Sequence, residues 1–435
     1  MFEPWIIALA GFAAFLLLLA AGWPIAVSMI VTGALGSVTV LGWRATLSTV
    51  GQTVSMTAMS YELSVVPMFI LMGALIVRSG EAMRLYASCY RFFGHMRGGL
   101  AMATIAACAG FAALCGSSLA TAAAMGRVSL PEMRRYGYAD SLIAGSIAAG
   151  GTLGILIPPS VLMVLYGIQT GTDIGKLFIA GIVPGLMGAA LYMVTIGIVC
   201  TVRPEMGPRG ERASWRERWE GLRGVTPTLC LFLVVIGGIY GGFFTPTEAA
   251  GIGAFGALVI ALVSRTLSTS VLLDALLETA KVTANLFFLL IGAFVYSNFL
   301  NITGLPNVLR DVVTGWGLSP IGLIAIITVI YVVLGTFMEE LSMVLLTVPI
   351  FYPVVVTLGY DPIWFGIYVV FITQLGMISP PVGINLFVIK GLFRDVPMRT
   401  LFVGVTPFIV TDLVRLILLI AFPAIALLLP SLAAN

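Results

Sequence analysis

Residues 150–164 read GGTLGILIPPSVLMV, an apolar run that carries three glycines and two adjacent prolines. Proline lacks an amide donor and clashes with the preceding turn, while glycine tolerates the unusual backbone angles that follow. The run therefore cannot be helical throughout. It sits in a 435-residue chain that is 60% hydrophobic and 9% charged, with a mean hydropathy of +1.09. Soluble domains carry about 25% charged residues, so the chain reads as an integral, multi-pass membrane protein of the lipid bilayer. Non-helical backbone at membrane depth is tolerated only against protein or a water-filled cavity. A break at Gly154–Pro159 leaves free carbonyls on one half-helix and free amides on the other. Carbonyl ends suit a cation and amide ends an anionic substrate.

A second copy of the break exists. Residues 376–383 read GMISPPVG, and a shift of 222 residues places Pro158-Pro159 on Pro380-Pro381 and Leu153-Gly154 on Leu375-Gly376. The same shift places Pro24 on Pro246, Leu119 on Leu341, Pro131 on Pro353 and Gly137-Tyr138 on Gly359-Tyr360 without a gap. Prolines and Gly-Tyr pairs in one register mark an internal duplication. The expected division is 1–202 and 225–435 for the two repeats, with a basic linker at 203–224. In each repeat a segment of two short apolar stretches around a polar tip (99–135 and 320–358) precedes a broken helix (140–168 and 362–390). Ordinary spans are expected near 5–21, 24–41, 62–78, 178–200, 225–241, 246–263, 284–300 and 404–429. The stretches 43–60 and 265–281 read equally as helices along the membrane surface or as connecting loops.

Charge sets the orientation. Arg91, Arg97, Arg134 and Arg135 flank the first tip segment, so both of its ends belong in the cytoplasm and it is a re-entrant hairpin. The linker holds Arg203, Arg209, Arg212, Arg216, Arg218 and Arg223 and is expected on the same side, with Arg265, Lys281, Lys390, Arg394 and Arg399. Asp311 and Asp361 flank the second tip segment, with only Arg310 near, so that hairpin enters from the opposite side. The fold class that follows is an all-α polytopic membrane protein with two inverted-topology repeats, both termini outside the cytoplasm. Inverted repeats with discontinuous helices are a transporter architecture.

The tips supply oxygen ligands. Residues 114–121, LCGSSLAT, offer the hydroxyls of Ser117 and Ser118 beside Gly116; residues 335–342, GTFMEELS, offer Thr336 and the adjacent Glu339 and Glu340. The carbonyl and hydroxyl oxygens of these tips fit a hard cation such as Na⁺. The plainer reading, a small turn beside a kink, is weakened by its recurrence in both halves. Carboxylates deep in a membrane are usually functional; the two glutamates could bind a cation or proton, organise the tip, or be solvated. Asp412 and Arg415 stand three apart on the last span and are expected to pair across one turn as a structural ion pair.

Other classes are excluded more easily. Five scattered cysteines lack metal or redox spacing and read as packing residues. One histidine, His95, lies between helices, so neither a histidine metal site nor an intramembrane enzyme is supported. No GxxxxGK[ST] motif is present, which argues against an ATP-driven pump. The net charge of +3 carries no nucleic-acid signal, because the basic residues cluster between spans. The N-terminal apolar run begins with Glu3 rather than a basic residue and reads as a first span rather than a signal peptide. A channel remains a weaker rival, because paired hairpins occur there too.

Several stretches also resemble a known family. GSSLATAAAMG (116–126), PEMRRYGY (131–138), GGTLGILIPPS (150–160), GTFMEELSMVLLTVPIFYP (335–353), SPPVGINLFVIKG (379–391) and TDLVRLILLIAFP (411–423) look like the large membrane subunit of tripartite ATP-independent periplasmic (TRAP) transporters. The likeness spans nearly the whole chain. Glu339 stands where the family often has Asp, Glu340 where it often has a neutral residue, and Ser379 where it often has Thr. The resemblance implies a bacterial inner-membrane importer driven by a Na⁺ gradient rather than ATP, for an organic acid such as a dicarboxylate or sialic acid. It implies two partners, a small four-helix membrane subunit and an extracytoplasmic substrate-binding protein, and an elevator-type movement. Carried over by position, one Na⁺ site would use Ser117, Ser118, Gly154, Ile157 and Pro159. The other would use Gly335, Thr336, Gly376, Ser379 and Pro381. Gly116, Thr152, Ser160, Glu339, Glu340 and Asn385 are candidates for substrate contact or gating. A stand-alone Na⁺/carboxylate symporter that needs no binding protein is the alternative.

Overall fold

In the computed structural model, which describes residues 4–315 and 319–433, the described residues form helices joined by short turns, with no strand among them. Seven of these helices are long and apolar enough to cross a membrane: Ile174–Val202, Trp215–Tyr240, Pro246–Val263, Thr269–Ile302, Pro320–Phe337, Glu340–Thr357 and Met398–Ala421. Shorter apolar helices include Pro4–Ala20, Ile25–Leu41, Gly99–Cys115, Val161–Thr170 and Pro362–Ile378.

Both hairpins form where the polar tips are. Gly99–Cys115 stops because Gly116 takes a left-handed backbone (φ 62°) and returns its amide to Ala112; Ser117 is extended and caps Ser118–Arg135 by accepting from the Ala120 amide. The second hairpin joins Pro320–Phe337 to Glu340–Thr357 through Met338 and Glu339, both extended. Its second arm matches that of the first hairpin residue for residue at the offset of 222. Gly137 and Gly359, equivalent at that offset, both have positive φ (75° and 87°), which accounts for a Gly-Tyr turn in each half.

Each broken helix is interrupted at its proline pair. Asp140–Thr152 passes through one tight turn, Leu153–Ile155, and loses helicity until Ser160 caps Val161–Thr170. Pro362–Ile378 ends at Ser379, and Gly383 (φ 63°) restarts the chain as Ile384–Leu392. Pro158-Pro159 and Pro380-Pro381 are both cis. Every residue from Leu142 to Gly167 and from Trp364 to Ser379 is buried, so the irregular backbone of the first break lies against protein and not lipid. The second differs at its end, where Pro380 and Pro381 are exposed.

Around this centre the halves interleave. Ile25–Leu41 of the first packs along Thr269–Ile302 of the second, and Val65–Arg78 packs along Pro246–Val263. Small residues allow the approach: a Cβ on Gly33 would lie 2.9 Å from the Tyr296 Cα, and one on Gly292 would lie 2.7 Å from the Ala26 carbonyl oxygen.

Three features depart from the sequence reading. Trp43–Ala58 is a separate helix, set at 52° to the following Glu62–Arg78 pair, whereas most of its counterpart at 265–281 merges into the continuous 34-residue helix Thr269–Ile302. The cause lies at Ser60, whose hydroxyl accepts from the Leu63 amide and so offers the backbone a local alternative to helix; Val282 occupies the equivalent position. The linker is shorter than expected, because a Ser214–Glu217 capping box starts the next helix at Trp215. Glu81–Phe93 and Leu305–Gly315 are additional helices that precede the hairpins.

Candidate functional site

Each tip meets the break of its own half through backbone. In the second half, a Cβ placed on Gly376 would lie 2.7 Å from the Gly335 Cα, and one on Gly335 would lie 2.9 Å from the Gly376 Cα. In the first, a Cβ on Gly154 would lie 2.6 Å from the Ser117 carbonyl oxygen and 2.9 Å from the Thr121 hydroxyl; one on Gly116 would lie 2.7 Å from the Pro159 carbonyl oxygen. Only glycine allows these approaches, which explains why Gly154 and Gly376 recur at the offset. In the first half the groups brought close are the Ser117 and Pro159 carbonyl oxygens and the Thr121 hydroxyl; in the second they are the backbones of Gly335 and Gly376.

The individual side chains divide. The Ser117 carbonyl is held by the Thr121 hydroxyl at 2.7 Å, and the Ser379 hydroxyl donates to the Leu375 carbonyl at 2.7 Å. The Thr336 hydroxyl donates to Val333, and the Ser160 hydroxyl caps the second half-helix at Met163. Ile157 points its side chain at Gly185 of Ile174–Val202. Asn385 sits elsewhere, donating to Ala148 at 3.5 Å with its own oxygen unpartnered and fully buried. Glu339 occupies the N-cap position of its helix without a side-chain capping bond.

Sequence reading did not anticipate that the two tips meet one another. The Ser118 hydroxyl donates to Glu340 Oε2 at 2.5 Å, and these residues are equivalent at the offset of 222. Beside this junction a cavity of about 130 Å³ is walled by Ser117, Gly116, Glu340, Gly73 and Glu278. Glu278, on Thr269–Ile302, pairs with Arg78, at the end of Val65–Arg78, at 2.8 Å across the two halves. At one end of the assembly Arg134 bridges Asp140 and Asp395, each at 2.9 Å, tying the first hairpin to the loop after the second broken helix. Hydrogen bonds from its own backbone amide and from Arg134 hold the Asp395 carboxyl below its usual range. Among the described residues no cluster of three or more His, Cys, Asp or Glu side chains could hold a metal ion.

Asp412 and Arg415 pair as expected, at 2.6 Å and fully buried. Their surroundings were not legible: Tyr192 donates to both Asp412 oxygens at 2.8 and 2.7 Å, and Gln374 donates to the Tyr192 hydroxyl at 3.0 Å. Neither Tyr192 nor Gln374 carries a sequence signal beyond polarity inside an apolar helix.

Two helical hairpins, each seated on a discontinuous helix, sit within a polytopic all-helical membrane fold. The chain belongs to the family of the tripartite ATP-independent periplasmic transporter DctM component, whose profile matches residues 12–425. It is 40% identical over 376 residues to the large permease protein of a C4-dicarboxylate TRAP transporter from Pseudomonas aeruginosa, covering 86% of this chain and 87% of that one. It is 35% identical over 374 residues, with the same coverages, to the large permease protein of a sialic acid TRAP transporter from Vibrio cholerae. In fold it is similar to the YdaH transporter of Alcanivorax borkumensis, described as having an unusual topology, with a TM-score of 0.65 at 17% identity over 90% of this chain and 88% of that one.

Proposed function

We propose that this permease is the Na⁺-coupled subunit of a secondary importer, moving an organic acid anion across the bacterial inner membrane after delivery by an extracytoplasmic binding protein. The observation that carries the reading is the seating of each tip on the break of its own half, with oxygen donors and half-helix ends converging in buried surroundings. Ser117, Gly154 and Pro159 would hold one Na⁺, and Gly335, Gly376 and Ser379 the other; both sets fit a hard cation through neutral oxygens. Half-helix amides beyond the breaks would receive the carboxylate. The relatives' C4-dicarboxylate and sialic acid substrates support an acid of that class.

The repeats are read as inverted, because arginines flank the first hairpin and aspartates the second. The hairpins and broken helices would move together against the interleaved outer helices as an elevator, beside a separate small four-helix subunit. Uptake into proteoliposomes tests the whole reading. Reconstituted with the small subunit, the chain is expected to import a labelled dicarboxylate or sialic acid only with the binding protein present and an inward Na⁺ gradient. Na⁺-driven uptake by the chain alone would make it a self-sufficient symporter, and uptake indifferent to Na⁺ would remove the coupling.

A further inference from the structure

The Asp412–Arg415 pair does more than join neighbours on one helix. It fastens three helices at a fully buried point. Arg415 lies between the rings of Tyr192 and Phe371, 5.2 and 4.6 Å from their centroids, and reaches the Pro184 carbonyl at 3.4 Å. Ile174–Val202 makes room with a glycine face: a Cβ on Gly181 would meet the Leu156 carbonyl at 2.6 Å, one on Gly185 would meet Ile157 at 2.6 Å, and one on Gly188 would strike the Arg415 guanidinium. One turn beyond stands Tyr192. A single helix face thus touches the first break and carries the ring that holds the ion pair.

The Tyr192 hydroxyl is where the halves converge. It donates to Asp412 and accepts from Gln374, while the nearby Thr152 hydroxyl donates to the Ala149 carbonyl of its own helix at 2.7 Å. Thr152 and Gln374 are equivalent at the offset of 222, and each stands two residues before the glycine that its hairpin tip touches, Gly154 and Gly376. A buried ion pair is weak evidence for stability, and its best-attested use is to fix register between elements. Here the register fixed is that of two half-helix ends, because Tyr192 stands on the helix whose Gly181 and Gly185 pack on the first break, while its hydroxyl is bonded to Gln374 of the second broken helix. The Gln374 oxygen and the Arg415 Nε, both buried, have no partner, so the cluster is held by geometry and not by saturation of its hydrogen bonds.

We propose that Tyr192, oriented by Asp412 and Arg415, is a positioning residue that couples the two breaks, so that cation binding at one raises affinity at the other. The proposal rests on the Na⁺-coupled reading above. It is tested with the full chain, varying Na⁺ against choline and following both uptake and the thermal stabilisation of the purified protein by Na⁺. The wild type should respond sigmoidally. Tyr192→Phe, which keeps the ring, should raise the half-maximal Na⁺ concentration about five- to tenfold and make the response hyperbolic. The KM for the organic acid at saturating Na⁺ should stay within about twofold, since uniform substrate binding is untouched. Gln374→Met should reproduce this, and the double variant should be no worse than either single one. Phe408→Leu, which removes an edge-on contact with the Tyr192 ring at 5.5 Å, should lower stability while leaving the curve sigmoidal. Wild-type Na⁺ curves in both hydroxyl-network variants, or additive effects in the double, would overturn the coupling. A wild type that ignores Na⁺ altogether would instead overturn the transport reading, and that is seen before any substitution is made.

Discussion

Gly376→Ala puts the tip-to-break contact under the sharpest strain. The added methyl would sit 2.7 Å from the Gly335 Cα and 3.1 Å from its carbonyl carbon. Carbon atoms in ordinary contact lie about 3.5–4.0 Å apart, so the hairpin must retreat by roughly 1 Å. Both partners are backbone, and no rotamer change can absorb the overlap. Overpacking of this kind costs about 1–3 kcal/mol. If the retreat is taken up at the oxygen donors, a middle value of about 2 kcal/mol corresponds to about a 30-fold rise in the half-saturating Na⁺ concentration. The assay is Na⁺-dependent thermal stabilisation of the purified chain, repeated as uptake. Gly251→Ala is the control, because nothing lies within 4 Å of a Cβ there and the helix should gain about 0.5–1 kcal/mol. Equal Na⁺ half-saturation in the two variants would refute the argument that the Gly335–Gly376 contact builds an ion site.

Gly154→Ala should behave like Gly376→Ala, since its methyl would meet the Ser117 carbonyl at 2.6 Å; a selective loss in only one of the two would show that one break alone binds the ion. Ser118→Ala removes the 2.5 Å donor to buried Glu340 and should lower stability by about 1.5–3 kcal/mol in a detergent melt. Ser117→Ala loses only a 3.4 Å capping bond and should cost about 0.5–2 kcal/mol. Asp412→Ala strands a fully buried guanidinium and should cost about 3–5 kcal/mol, whereas Asp412→Leu with Arg415→Met should restore much of the melting temperature.

The fold was largely legible because its punctuation is chemical. Gly-Tyr pairs stand where both halves need positive φ, prolines stand at both breaks, and Ser117 and Ser160 cap the helices that follow them. Those residues act locally, so one chain of letters is enough to find them. Glu81–Phe93 and Leu305–Gly315 escaped because they are short amphipathic helices with no spanning length. The merged helix Thr269–Ile302 escaped because a half-polar stretch looks alike whether it continues a helix or breaks from it. At the site, the clusters could be read but not the contacts between them. Tyr192 meets Gln374 and Asp412 only because Gly181, Gly185 and Gly188 let three helices close in, and nothing local to any of these residues announces it. The Ser118–Glu340 bond had a usable signal after all, since equivalent positions of a duplicated chain are those that can meet across its pseudo-axis.

That bond has a meaning for how such a chain could arise. If the halves descend from one short polypeptide that paired with its own copy, residues 118 and 340 were once the same residue facing itself across a two-fold axis. A self-facing contact of this kind must be complementary to itself. Two serines can satisfy one another, but two carboxylates at that distance would repel. A serine facing a glutamate at 2.5 Å is therefore closed to two identical copies and open to halves free to differ, as in a fused chain. Joining the halves into one polypeptide released the axis from its symmetry and let a donor and an acceptor be assigned to opposite sides of it.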